Sequence, residues 1–168
     1  AFHRGFWSFI FLLVILILRG NIKEFIDVFK SNKKIIFLSI TSILITINWT
    51  GFILAVSINR VQDASMGYYI TPMISIVLGY FFLNERITKL KLISIIMMFS
   101  SLIFLLISLN TFPLLAILIG TTWGFYGLLR KQINVSSEIG LLFESALISF
   151  IAAPYLIYIN IIGEGFFL

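Results

Sequence analysis

Long runs without a charged side chain constrain this chain more than any other feature. Residues 35–57, 64–84 and 92–129 contain no Asp, Glu, Lys or Arg. About 20 apolar residues in a helix, rising 1.5 Å each, cross a hydrocarbon core of about 30 Å. The runs show neither the alternation of a half-buried strand nor the polar face of a soluble amphipathic helix. They predict an integral membrane protein.

We interpret the pattern as an all-α polytopic bundle with about six transmembrane helices. Backbone polar groups in lipid must be hydrogen-bonded within the segment, so the spans are expected to be helical. Composition agrees, because 60% of the residues are apolar and 11% are charged, against about 25% charged in soluble domains. The predicted spans are residues 2–18, 35–57, 64–83, 92–109, 112–129 and 139–159, with a break at residues 110–113.

Basic residues predict the orientation of the spans. Five lie in residues 19–34, three in residues 86–91 and two at residues 130–131, while Arg4 and Arg60 lie on the opposite side. Cytoplasmic loops carry the excess of Lys and Arg. We therefore expect the basic loops to be cytoplasmic, in a bacterial inner (cell) membrane. Both ends of this chain are then expected outside the cytoplasm.

The composition argues against several classes of function. There is no cysteine, and His3 is the single histidine, so thiolate chemistry is excluded and a zinc site is not expected. Walker, zinc-hydrolase, serine-elbow and nucleic-acid motifs are absent from the sequence. The net charge of +5 arises in loops that face anionic headgroups. We expect no enzyme activity, no cofactor, no metal and no nucleic-acid partner, and membrane lipid as the surroundings.

The basic segment after the first span has a helical pattern. Ile22, Phe25, Ile26 and Phe29 fall on one face of a helix, which predicts a short helix lying on the cytoplasmic leaflet. A solvated loop is the alternative, since the periodicity covers about two turns. Asn21 followed by a glutamate three residues later resembles a capping box.

Polar and aromatic residues inside the spans are candidates for a substrate path. Asn48 lies beside Trp49 deep in the second span, and its amide either lines a cavity or forms an interhelical hydrogen bond. Pro72 is expected to interrupt the third span close to Tyr68 and Tyr69. The alternative there is a simple packing kink.

Two further candidates lie in the last two spans. Trp123 either lines the path or belongs to the aromatic belt with Tyr126. Glu144 is the one acidic residue inside a predicted span, and it suggests ion coupling or substrate contact. Its alternatives are to extend to the inner interface or to pair with a loop cation such as Arg130.

Small residues recur at helical spacing in two spans. Such stripes let a second backbone approach closely, so helix packing is the favoured interpretation. A sliding interface during transport is a further hypothesis. The packing candidates are Gly67, Thr71, Ser75, Gly79, Gly120 and Gly124.

Several short segments together carry a family resemblance. The chain resembles RarD-type permeases of the EamA branch of the drug/metabolite transporter (DMT) superfamily. Asn84 departs from the pattern, since the family more often has Gly before the glutamate. The matching segments are residues 3–4 (HR), 7–9 (WSF), 48–49 (NW), 64–72 (ASMGYYITP), 83–86 (LNER), 125–131 (FYGLLRK) and 140–144 (GLLFE).

The resemblance implies ten helices in two inverted five-helix repeats, of which this chain covers helices two to seven. Residues 1–109 would form the first EamA-type repeat without its first helix, and residues 110–168 the start of the second. The implied function is a multi-pass permease that moves a small drug or metabolite by alternating access, driven by an ion or substrate gradient. The alternative is a non-functional, truncated remnant of such a transporter gene. The resemblance does not predict the oligomeric state.

Overall fold

The structure is a computed structural model that describes residues 2–108 and 113–162. These residues form seven helices, and none of them belongs to a strand. The all-helical fold class predicted from the apolar runs is confirmed. The helices are α1 (Phe2–Arg19), α2 (Ile22–Phe29), α3 (Asn32–Ser57), α4 (Val61–Leu83), α5 (Lys89–Ser108), α6 (Leu114–Gln132) and α7 (Ser137–Ile162).

Each predicted span falls on one of the long helices. The helices extend past several predicted ends, because the predicted spans stopped at the first charged or polar residue whereas the helices continue through it. Thus α3 begins at Asn32 and includes Lys33 and Lys34, and α6 ends beyond Arg130. The predicted break at residues 110–113 and the proposed boundary between repeats fall mostly on residues 109–112, which lie outside the described residues.

Six membrane spans are predicted from the sequence, but fewer helices are both long enough and apolar enough to cross a membrane. Within the described ranges, α3, α4 and α7 each reach both criteria. α1 and α2 meet them together, as a pair bent by 116° that would count as a fourth span if it crosses as one. In α6, the glycines, threonines and terminal cations lower the mean hydropathy.

One compact unit contains Ala1–Ile43 and Ile133–Leu168, and we call it unit 1. α1 and α7 run antiparallel in it, because Gly5 near the start of α1 lies against Ile148, and Arg19 at its end lies 2.5 Å from the carboxylate of Glu138. The predicted short helix is present as α2. The capping box is wrong, since Asn21 precedes α2 without a side-chain hydrogen bond to it.

The second compact unit contains Leu44–Gln132, and we call it unit 2. It holds the later part of α3 together with α4, α5 and α6. α4 and α6 run parallel, because Gly67 lies against Ile119 and Gly124 lies against Ile74 further along both helices. When successive helices cross a membrane in opposite directions, two helices separated by one other helix run in the same direction, as α4 and α6 do.

α4 passes through its proline and ends in a left-handed residue. The helix is continuous from Val61 to Leu83 with Pro72 inside it, so the predicted interruption is wrong. The hydroxyl of Thr71 donates to the carbonyl of Gly67 at 2.9 Å. Asn84, which follows the helix, has φ 52°. Asparagine is one of the few residues with a side chain that adopt this conformation readily.

Candidate functional site

Glycines of α4 and α6 receive isoleucine side chains from the opposite helix. A Cβ on Gly120 would lie 2.6 Å from Cγ2 of Ile70, whereas carbon atoms in contact are normally 3.5–4.0 Å apart. The helices are therefore closer than a side chain at these positions permits. The three pairs are Gly67–Ile119, Gly120–Ile70 and Gly124–Ile74.

A polar cavity lies at one end of the same helix pair, and we call it the polar cavity. Its volume is about 330 Å³. Ser75 and Gly79 contribute to it from α4, and Glu85 and Lys131 carry its charge. A Cβ on Gly79 would lie 3.2 Å from the carboxylate of Glu85, so the missing side chain leaves room for that carboxylate. The remaining lining residues are Ile76, Leu78, Leu83, Gly124, Gly127 and Leu128.

A second cavity of unit 2 is apolar and has a volume of about 480 Å³. The apolar cavity lies among α4, α5 and α6. Of the described residues that line it, Thr121 is the one with a hydroxyl group. The others are Ile70, Met73, Ile74, Val77, Leu78, Phe99, Leu102, Pro113, Ile117 and Phe125.

Charged groups meet at the mouth of the polar cavity. Lys131 at the end of α6 donates to the carboxylate of Glu85, and Lys91 on α5 lies 3.7 Å from the same carboxylate. The hydrogen bond and the positive charge of Lys131 hold the pKa of Glu85 below its ordinary value. Glu85 is therefore ionised at neutral pH, and it links the segment after α4 to α5 and α6.

Asn48 forms the interhelical bond that the sequence left as one of two alternatives. Its amide nitrogen donates to the carbonyl of Ile119 at 2.8 Å and lies 3.1 Å from the hydroxyl of Thr122. Asn48 and Trp49 are both buried, at 8% exposure each. The amide thus holds α3 against α6 within unit 2, and its role in a substrate path stays a prediction.

The aromatic candidates on α4 are largely exposed. Tyr68 is 61% exposed and makes an edge-to-face contact with Phe52, with ring centroids 6.2 Å apart. Tyr69 is 64% exposed and lines a cavity of about 380 Å³ with Met97 and Ser101 of α5. Pro72 is exposed as well. The structure therefore does not gather these three residues around one enclosed site.

Trp123 and Tyr126 stack on α6. Their ring centroids are 5.0 Å apart and the ring planes differ by 16°. The side chain of Trp123 remains 36% exposed. Stacked rings at neighbouring turns of one helix suit either interpretation, a belt at the interface or a wall of the path.

Glu144 lies in unit 1, whereas the other six predicted path residues lie in unit 2. Its side chain is fully buried, and the hydroxyl of Thr41 lies 2.7 Å from its carboxyl oxygen Oε1. Full burial contradicts the alternative in which this side chain extends to the interface. Thr41 was not among the candidates from the sequence, because α3 carries several other hydroxyl groups and no local pattern distinguishes this one.

The apolar helices and their buried polar contacts define a polytopic helical membrane protein. Residues 1–107 match the EamA-like transporter family. The chain belongs to this family, and the resemblance found in the sequence is confirmed.

Several similar proteins agree with this assignment. An uncharacterized transporter of Vibrio cholerae is 36% identical over 157 residues, which cover 94% of this chain and 52% of the relative. Uncharacterized transporter YojE of Bacillus subtilis is 35% identical over 159 residues, covering 93% and 53%. Protein RarD of Escherichia coli is 33% identical over 154 residues, covering 92% and 52%. The chain spans about half the length of these relatives. No solved structure matches the chain.

Proposed function

We propose that the chain is part of a multi-pass permease that moves a small drug or metabolite by alternating access. The observation that carries the proposal is the polar cavity, which lies beside a glycine-lined helix interface in a chain of the EamA-like transporter family. Its volume of about 330 Å³ is in the range of pockets that hold small ligands, roughly 300–1,000 Å³. The substrate gradient or a coupled ion would supply the driving force.

The helix contacts of unit 2 suit a cycle of opening and closing. The glycines of α4 and α6 let the two helices approach closely, and a shift of one helix along the other would move the isoleucines seated against these glycines. Glu85 and Lys131 both line the cavity and form a solvent-exposed ion pair, and Lys91 lies near the same carboxylate. Exposed ion pairs contribute about 0–1 kcal/mol, so this contact is able to open at small cost.

The remaining predictions of the sequence analysis belong to the same proposal. The basic loops would be cytoplasmic in a bacterial inner membrane, and the path would include Asn48, Trp49 and Trp123. The first repeat would end near residue 109, which the end of the family match at residue 107 supports. The two repeats would have opposite orientation.

Uptake by the full-length gene product, reconstituted in vesicles and offered a panel of labelled drugs and metabolites, tests the proposal. We expect saturable uptake of at least one compound. Ser75→Leu fills the polar cavity and should abolish that uptake. Ser94→Leu is the matched control, since Ser94 is an exposed serine of α5 that bonds its own helix. Uptake that does not saturate would indicate a channel, and equal uptake by both variants would contradict the assigned path.

A further inference from the structure

A buried cluster of oxygen atoms surrounds one carboxyl group in unit 1. Glu144, Thr41 and Ser145 each have 0% exposure, and Ser42 has 1%. Thr41 comes from α3 and Glu144 from α7, so their contact joins two helices. An ionisable group inside a membrane protein indicates function unless a structural role accounts for it.

The hydroxyl of Thr41 lies within reach of two acceptors but has one hydrogen to donate. Its Oγ1 is 2.7 Å from Oε1 of Glu144 and 3.0 Å from the carbonyl of Leu38. The hydroxyl of Ser42 also donates to the carbonyl of Leu38, at 2.7 Å. That carbonyl therefore keeps a hydroxyl donor when Thr41 turns its hydrogen toward Glu144.

Both protonation states of the carboxyl group can be hydrogen-bonded in this arrangement. When Glu144 is ionised, Thr41 donates to it and Ser42 serves Leu38. When Glu144 carries a proton, its O–H can donate to Oγ1 of Thr41, which then donates to Leu38. The change requires a rotation of one hydroxyl group and no movement of the helices.

We propose that Glu144 and Thr41 form a proton-binding site in unit 1, with Glu144 as the group that holds the proton and Thr41 as its switching partner. The step adds one proton to a carboxylate, and no other bond forms or breaks. This inference rests on the proposed function, because it names the coupled ion and its site.

A metal ion fits the cluster less well than a proton. Calcium takes six to eight oxygen ligands, often from several carboxylates, and the described residues contain no group of three or more His, Cys, Asp or Glu able to hold a metal. Among the residues of unit 1 whose burial the structure describes, Glu144 is the one buried carboxylate. A proton needs one carboxyl oxygen and one acceptor, which the cluster supplies.

Arg4 is the charged residue whose effect on Glu144 most needs a control variant. Gly5 packs against Ile148, one helical turn along α7 from Glu144, so Arg4 lies near that level. Arg19 is bonded to Glu138, and Lys30 is bonded to Asp27. Among the described residues of unit 1, the charged residues other than Glu144 are Arg4 and Arg19 on α1, Lys23, Glu24 and Asp27 on α2, Lys30 directly after it, Lys33 and Lys34 on α3, and Glu138 on α7.

Infrared difference spectroscopy of the purified chain in detergent tests the site without any transport substrate. The carbonyl stretch of a protonated carboxyl group is followed while the pH is changed reversibly. The chain contains seven Asp and Glu residues, so several carboxyl groups contribute to this signal. We expect one component of the band that appears on acidification to be absent in Glu144→Gln and to persist in Glu138→Gln, the matched carboxylate at the start of α7. Thr41→Val keeps a similar shape but removes the hydroxyl, and it should shift the band because one hydrogen bond to the carbonyl is lost.

The outcomes separate this inference from the proposed function. A wild-type band that has no component lost in Glu144→Gln, or a component assigned to Glu144 that changes with sodium chloride and not with pH, would each overturn the site. A band that appears only in Arg4→Gln would also overturn it, because Glu144 would then be held in a permanent ion pair. If Glu144→Gln does not fold, an unshifted band in Thr41→Val decides against the site. None of these results bears on uptake, which is measured separately.

Discussion

Gly120→Ala should destabilise the protein, although alanine is the better helix former. The new Cβ would lie 2.6 Å from Cγ2 and 2.7 Å from Cβ of Ile70. Rotation about χ1 moves Cγ2 but leaves Cβ in place, so a change of rotamer cannot relieve the contact. The backbones of α4 and α6 must separate by about 1 Å to restore an ordinary carbon–carbon distance.

The expected loss of stability in Gly120→Ala is the difference between two opposing contributions to the free energy of unfolding. Inserting a methyl group into a packed interface costs about 1–3 kcal/mol, and replacing Gly by Ala inside a helix gains about 1 kcal/mol. Gly127 lies on the same helix, and a Cβ there meets nothing within 4 Å. Gly127→Ala therefore measures only the gain from the higher helix propensity of alanine. The difference in stability between the two variants then gives the packing cost at Gly120.

Unfolding by sodium dodecyl sulfate in mixed micelles, followed by circular dichroism, measures both variants against the wild type. We expect Gly120→Ala to be less stable than Gly127→Ala by about 1–3 kcal/mol. Gly120→Ala at the same stability as Gly127→Ala, or above it, would refute the close contact of the two helices.

Three further predictions concern polar contacts. Asn48→Leu should lower the free energy of unfolding by about 0.6–2 kcal/mol in the same assay, since it removes an interhelical hydrogen bond; an unchanged value would contradict that bond. Arg19→Gln should change stability by less than about 1 kcal/mol, because its partner Glu138 is exposed; a larger loss would refute this weak pair. Glu85→Gln should reduce stability at pH 7. That difference should vanish as the pH falls through the lowered pKa of Glu85, below the ordinary value of about 4.3, because the wild-type carboxylate is then neutral too; a difference that persists at pH 2 would contradict the pairing with Lys131.

The sequence predicted the helices well, because the physical requirement is simple. A segment in lipid must satisfy its own backbone, so an uncharged run such as residues 35–57 has one regular structure available to it. The helix ends were less accurate, since residues such as Lys33 and Lys34 continue the helix while their charged ends reach the interface. Pro72 was misjudged because a helix tolerates proline when the neighbouring turns remain bonded.

The candidate site was harder to predict than the fold. Spacing places Gly120 and Gly124 on one face, but it does not identify the isoleucines of α4 that fill them. The partner of Glu144 is Thr41, which lies 103 residues away in sequence, and no local pattern marks it. Glu85 and Lys131 each follow a predicted span on the basic side, which was the available signal for their contact.

Water access to the polar cavity tests the central claim most directly. The chain has no cysteine, so single cysteines can be introduced without background and treated with a charged, membrane-impermeant thiol reagent in open membrane fragments. We expect Ser75→Cys to react, because Ser75 lines the polar cavity, and Val77→Cys on the same helix to stay unreacted, because Val77 lines the apolar cavity. Reaction at Val77→Cys with none at Ser75→Cys would contradict the account.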